Sequence, residues 1–498
     1  MTTAVAAVRR VRAPGRRVAV AALGSAEIRR LGRSPFLWGG GFLALALGVA
    51  WGWTRMPSWA TLAQNAGMSS IVLAGGLLMA GQLAASRDQR AAAAESTQVM
   101  PTTPVRRGLG LLALVPVAAA GGAVLYLAQL LFMLPAWPVG RFDLWAPLVT
   151  VVIPAAGVAI GIVVGRWLPL TAAGPLATIA VAVVLGALPV IATGPESVAW
   201  LLFPVPQPPW TVGADSPTGW HLLYLLSLLA AILALLTLRY RPVASVLVIV
   251  MAVAVSGLAV NRQQKAVPAV IYEDAERAFT GPGVLDCKLH HGVRYCALPH
   301  YAGWIPLWRE SVEPVVTNLP PTASRPAIHQ IGDADYGDVL TAGAPEIVTS
   351  TIWGMHGRWA QDSRDRMTAA YATAAVGLST RGDGLPEPTA SCSGAGQHRT
   401  VVALWLLAQA LPDGAKRLAA GKLRLPRVRY DSADAKAATD LLARPRDQVT
   451  AFLAAHWTAV LDSSDTALAP LGVTTKPPAI SAKQEVSQAA DPDRGNCR

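Results

Sequence analysis

The sequence predicts an α-helical integral membrane protein of about seven spans, followed by a mainly α (α+β) extracytoplasmic domain. Three observations lead there: long charge-free apolar runs, a one-sided distribution of arginine, and cysteines confined to the second half. The 498 residues are 53% hydrophobic and only 14% charged, where a soluble globular protein carries about a quarter charged residues. Residues 1–260 hold six acids and 17 basic residues, all arginine, for a net +11. Residues 261–498 hold 24 acids and 25 bases, for a net +1. Two parts with such different charge content are built for different solvents. The overall +12 does not point to nucleic acid, because the excess sits in short loops beside apolar runs, as membrane topology requires.

Residues 1–34 are expected to form a basic cytoplasmic segment, and RRVAVAALGSAEIRRLGRSP from Arg16 fits a helix lying along the membrane surface, with a secretory signal as the alternative reading. Charge-free intervals then define a membrane domain over 35–260, with spans expected at about 35–53, 68–86, 109–134, 144–165, 171–193, 219–238 and 243–260. Each supplies the roughly 20 apolar residues that cross ~30 Å of hydrocarbon. All are apolar around their whole circumference, unlike the amphipathic helices of a soluble core. With the N-terminus cytoplasmic, fifteen arginines fall in inside loops and two, Arg55 and Arg141, in outside loops. Seven spans then place residues 261–498 outside, in a cell (plasma) membrane protein.

The long polar interruption on the inner side is 86–107, SRDQRAAAAESTQVMPTTPVRR, with Arg87, Asp88, Arg90, Glu95, Arg106 and Arg107. Its Ala-rich middle favours helix, and Pro101 and Pro104 are expected to end that helix before the third span. Prolines 154, 169 and 175 in or beside the fourth and fifth spans imply a packed bundle whose neighbours satisfy freed carbonyls. The Pro- and Trp-rich loop from Gly194 reads equally as a segment dipping into the outer interface or as an aromatic belt. Arg239–Pro242 leaves only a tight turn, so spans six and seven pack together. No span carries Asp, Glu, Lys or Arg, and His221, at an outer end, is the one titratable candidate. Proton- or ion-coupled carriers place such groups inside the membrane, so coupling through internal carboxylates is disfavoured.

All four cysteines, Cys287, Cys296, Cys392 and Cys497, lie where the topology puts an oxidising compartment. In VLDCKLHHGVRYCALP, a two-residue turn at His291–Gly292 sets Cys287 opposite Cys296 at a non-hydrogen-bonded pair, where a disulfide fits. Cys497 is a candidate partner for Cys392. The outer domain, 261–470, is long enough for one core. Tyr301, Trp304, Ile305, Trp308, Val312 and Val315 share one helical face, and the segments from Gly357, His398 and Arg446 read as amphipathic helices. A strand is expected near Ala327–Ile331, and a disordered tail over 471–498. The histidines give no HExxH and no zinc-finger spacing, so no metal and no cofactor are expected. SCSGAGQHRT, from Ser391, spaces Cys392 and Arg399 one residue too far apart for a phosphatase loop. It reads as a Gly-rich turn into the helix holding Trp405.

On these residues the first half resembles the permeases of type-2 ABC exporters, in particular actinobacterial ones carrying an extra outer domain. The likeness covers about 16–240 and rests on the surface helix ending near Arg33-Ser34-Pro35, two spans, and an inner loop. That loop runs acid–Arg, a short helix with Glu, then Pro and a basic residue, here Arg87-Asp88, Arg90, Glu95, Pro101 and Arg106-Arg107. Ala93-Ala94 and Ser96-Thr97 depart from the family's usual Gly-Thr and Leu pair. The resemblance implies a dimer of permease subunits in the lipid bilayer, energised by a separate ABC ATPase subunit docking on 86–107. The chain would then be a transporter subunit without a nucleotide site of its own, not an enzyme. The rival classes are a membrane-anchored extracytoplasmic enzyme and a sensory or scaffold protein.

Overall fold

The computed structural model describes residues 16–90, 104–192, 197–205, 217–266, 285–330, 346–378, 392–462, 466–475 and 497. Among the described residues, seven helices are long and apolar enough to cross a membrane. Helix α1 (Arg16–Leu31) leads through Gly32–Ser34 into α2 (Pro35–Trp53), which begins with proline in its first turn, where a missing N–H costs nothing. Next come α3 (Trp59–Arg90), a short α4 (Pro104–Leu111), α5 (Leu114–Met133), α6 (Trp145–Trp167) and α7 (Ala173–Ile191). A single turn, α8 (Val198–Leu202), precedes α9 (Thr218–Thr237) and α10 (Pro242–Lys265).

Small residues bring the spans together. Gly157, Gly161 and Gly165 recur every turn of α6 and face Ala74, Leu78 and Gln82 of α3. A Cβ at Gly157 would lie 2.5 Å from the Ala74 carbonyl oxygen, so only glycine permits this approach. In lipid, where burying apolar surface between spans gains little, such close contact is what drives association. Pro154 lies buried inside α6 beside Gly122 of α5, in the packed surroundings that let a span tolerate proline. Helices α9 and α10 are joined by hydroxyl pairs, Ser227–Ser256 at 2.6 Å and Thr237–Ser245 at 2.9 Å. From the Gly194 loop, Phe203 and Val205 are buried against Ile153, Leu222 and Leu225, so its described part packs inward on the bundle. Residues 206–216 of that loop lie outside the described residues.

The second unit is mixed. Strands β1 (Asp286–His290), β2 (Val293–Ala297), β3 (Ala327–Gln330) and β4 (Glu346–Thr349) form one sheet in that order, antiparallel between β1 and β2 and parallel thereafter. Cys287 pairs with Cys296 in the register expected from the turn, and the two are disulfide-bonded. Helix α11 (Ile305–Val316) and the 3-10 turn Pro299–Trp304 bury all six residues expected on their shared face. Helices α12 (Gly357–Ala375), α13 (His398–Ala410), α14 (Gly414–Ala419), α15 (Ser432–Leu442) and α16 (Arg446–Leu461) complete the core, with a two-stranded pair, β5 (Cys392–Ser393) and β6 (Val428–Arg429), beside α13. One reading is corrected: α13 is not amphipathic. Every residue from Thr400 to Ala408 is buried, making it the central helix with the others around it. Strand β4 and helices α14 and α15 have no counterpart in the sequence reading. Leu471 and Val473 are buried and Cys497 is disulfide-bonded to Cys392, while 476–496 of the expected tail lie outside the described residues.

This unit rests on the bundle end that holds the α2–α3 and α5–α6 connections. Met56 N–H donates to Trp353 O at 2.6 Å, and Trp53 lies 4.7 Å from His356 between ring centroids. Gly140, at φ +93°, passes so near the His300 carbonyl that a Cβ would sit 2.9 Å away. Helix α1 and the ends of α3 and α6 lie at the opposite end.

Candidate functional site

At the α1 end, the span expected over 68–86 is part of a longer helix. The 32 residues of α3 extend about 48 Å, beyond the ~30 Å of a hydrocarbon core. Its last turn carries Arg87, Asp88 and Arg90 clear of the apolar run. Arg90 Nη2 reaches back to Leu83 O at 2.9 Å.

Arg87 is pinned sideways. Its Nη1 donates to Glu27 Oε1 on α1 at 2.8 Å, and Arg30 approaches the same oxygen at 2.6 Å. Glu27 keeps only 14% of its side-chain exposure, against 40% for Arg87 and 58% for Arg30. The carboxylate is thus the enclosed centre of a three-residue cluster. Sequence reasoning missed it. The signal was present: Glu27 is the sole acid before Asp88, among a run of arginines.

The other flank of the loop also ends on α1. Pro104 opens α4, at a first position that needs no N–H partner. Helix α4 carries Arg106 and Arg107 and lies against α1: a Cβ at Gly110 would touch Leu23 at 3.1 Å, and one at Gly24 would meet Ala113 at 2.9 Å. Leu31, Leu111 and Leu114 are buried together in the same cluster. Residues 91–103, with Glu95, Pro101 and the Ala-rich stretch, lie outside the described residues. Among the described residues, the structure therefore brings Arg87 and α4 to α1, through the Glu27 ion-pair cluster and the apolar contact with α4.

The bundle interior holds neutral polar groups. Gln129 Nε2 donates to Ser69 Oγ at 2.6 Å, in space left by Gly48. Gln82 Nε2 donates to Leu170 O at 2.8 Å. His221 is buried at the far end between Gln263 Oε1, at 2.9 Å, and Pro204 O, at 3.0 Å. At the α1 end, Arg239 stacks on Trp167 at 4.2 Å, and Arg166 donates to Tyr240 Oη at 2.6 Å.

The SCSGAGQHRT turn has a structural use. Cys497 N–H donates to Ser393 O at 2.9 Å, and Gln397 Nε2 donates to Cys497 O at 3.2 Å. Arg399, its guanidinium pushed below the usual range by burial, also donates to Cys497 O. Gly396 N–H donates to the buried Asp434 carboxylate at 2.9 Å. The residues that suggested a catalytic loop are occupied in fastening Cys497 to the core. Comparison with protein-family profiles, with curated proteins and with solved structures returns no match.

Proposed function

We propose that this chain is the membrane-spanning permease subunit of an ABC-type exporter, energised by a separate ATPase subunit that docks on 86–107. The observation that carries this reading is the convergence of both loop flanks on α1. A partner seated on the loop would move α1, α3 and α5 as one body, through the Glu27–Arg87 pair and the α4–α1 contact. The uncharged spans favour an external energy source over internal proton coupling, and the sequence has no phosphate-binding GxxxxGK[ST] loop for an ATPase of its own. In this reading the α1 end is cytoplasmic, in keeping with the arginine bias. The outer unit, with both disulfides, is extracytoplasmic in the cell membrane, and two permease subunits form the export path.

The test is charge reversal at Arg90 together with Glu95. ATP hydrolysis by the co-purified complex should continue while transport stops. Normal transport by a folded double variant would remove the docking role. Turnover of a substrate by the outer unit, with no ATPase co-purifying, would favour the anchored-enzyme reading.

A further inference from the structure

Helix α11 and the β1–β2 hairpin bring together three metal-ligating side chains that sequence spacing gave no reason to group. His290 closes β1, His291 opens the turn, and Glu313 sits two turns along α11 from Ile305. Their donor atoms all lie within 4.8 Å of one another. His291 Nδ1 is 2.6 Å from Glu313 Oε1, and His290 Nε2 is 3.7 Å from Oε2.

Neighbouring residues of a regular strand point to opposite faces. Here the turn defeats that rule. His291 and Gly292 both have positive φ, +49° and +78°, as a tight hairpin of matching twist demands. The left-handed backbone at His291 swings its ring to the side of its neighbour, and the two imidazoles stack at 4.1 Å between centroids. The support is rigid on each side. Cys287–Cys296 ties the hairpin, Arg325 donates to the His291 carbonyl, and Glu313 rides on a helix anchored by buried Trp308 and Val312. The three side chains keep 36%, 57% and 31% exposure, so an ion could reach them from solvent.

We propose that His290, His291 and Glu313 form a binding site for a divalent transition-metal ion of the zinc class. Two imidazoles and one carboxylate suit zinc and its neighbours, whereas calcium and magnesium take oxygen ligands. Bonds of ~2.0 Å in tetrahedral geometry separate ligand atoms by roughly 3.3 Å, and the observed 2.6 and 3.7 Å straddle that value. Small side-chain rotations would seat the ion. Three protein ligands leave a fourth position for water or an incoming donor, and the bound ion would clamp the hairpin to α11.

The test is equilibrium dialysis of the purified, chelator-stripped full chain against Zn2+ alone. A parallel titration with Co2+ reads coordination from its visible absorption. The expected result is one ion per chain with an intense tetrahedral Co2+ spectrum. His291→Asn, which tolerates the left-handed turn, and Glu313→Gln should each weaken binding by at least about 10-fold, the loss typical of disturbing even an outer contact of a metal site. Their metal-free thermal midpoints should match the parent chain, with His290→Gln as a third variant should either fail to fold. Absence of stoichiometric binding, or binding unchanged in the folded variants, would overturn the proposal and leave the trio as an imidazole–carboxylate contact.

Discussion

Glu27 is one carboxylate serving two guanidiniums at the foot of the bundle, and its value lies more in connection than in stability. A partly exposed pair of this kind contributes at most about 1 kcal/mol. Glu27→Gln should therefore leave the unfolding midpoint nearly unchanged. In the proposed exporter it should lower transport per ATP hydrolysed, and the exchange Glu27→Arg with Arg87→Glu should recover much of it. Transport and hydrolysis assayed side by side in proteoliposomes check this. Asp434 is a different residue-scale device. It completes a capping box with Asp431 and accepts the Gly396 N–H, yet burial pushes its carboxyl up to about 6 from 3.8. A raised acid pKa means that the fold binds the proton more tightly than the unfolded chain does. Stability from this group is thus present below about pH 4 and is lost as pH rises to about 6. Asp434→Asn should flatten that slope relative to the parent chain, as followed by denaturant unfolding at a series of pH values.

Among the elements, α3 and α6 make the contact on which the bundle depends. Adding side chains along the glycine ridge drives them into backbone. Gly161→Leu should cost at least the 1–3 kcal/mol typical of overpacking and reduce the yield of folded chain. Gly186→Leu, on a position of α7 with open space around it, should be tolerated. Fluorescence-detected size exclusion of the two variants separates these outcomes. The elements also show what the sequence makes legible. Spans announce themselves by the absence of charge, and the hairpin by His-Gly between two cysteines, because both signals are local. The full length of α3 is less legible, since helix propensity continues past the last apolar residue through Ser86–Arg90. Helix α13 looked amphipathic because His398, Arg399 and Thr400 head it. In the fold Arg399 meets a partner of distant sequence, Cys497, which no periodicity reveals. The same holds for Glu27 and Arg87, sixty residues apart.

At the scale of the molecule, an apolar bundle carries a disulfide-tied unit on one end and a basic, loop-fed surface on the other. The two disulfides close loops of very different size, with sequence separations of 9 and 105. In the chain-entropy view, the longer bridge contributes about 4–5 kcal/mol and the shorter about 2–3 kcal/mol. Paired serine replacement of Cys392 and Cys497 should therefore lower the disulfide-tied unit's thermal midpoint more than replacement of Cys287 and Cys296. The proposed role in export rests on what meets the other end. A photo-crosslinking amino acid at Arg90, with the same probe at Arg141 as the opposite-end control, tests this in native membranes. The account predicts an adduct from Arg90 to a subunit bearing a nucleotide-binding site, and none from Arg141. No such adduct from a folded Arg90 variant, or capture of the ATPase from Arg141 instead, would contradict it.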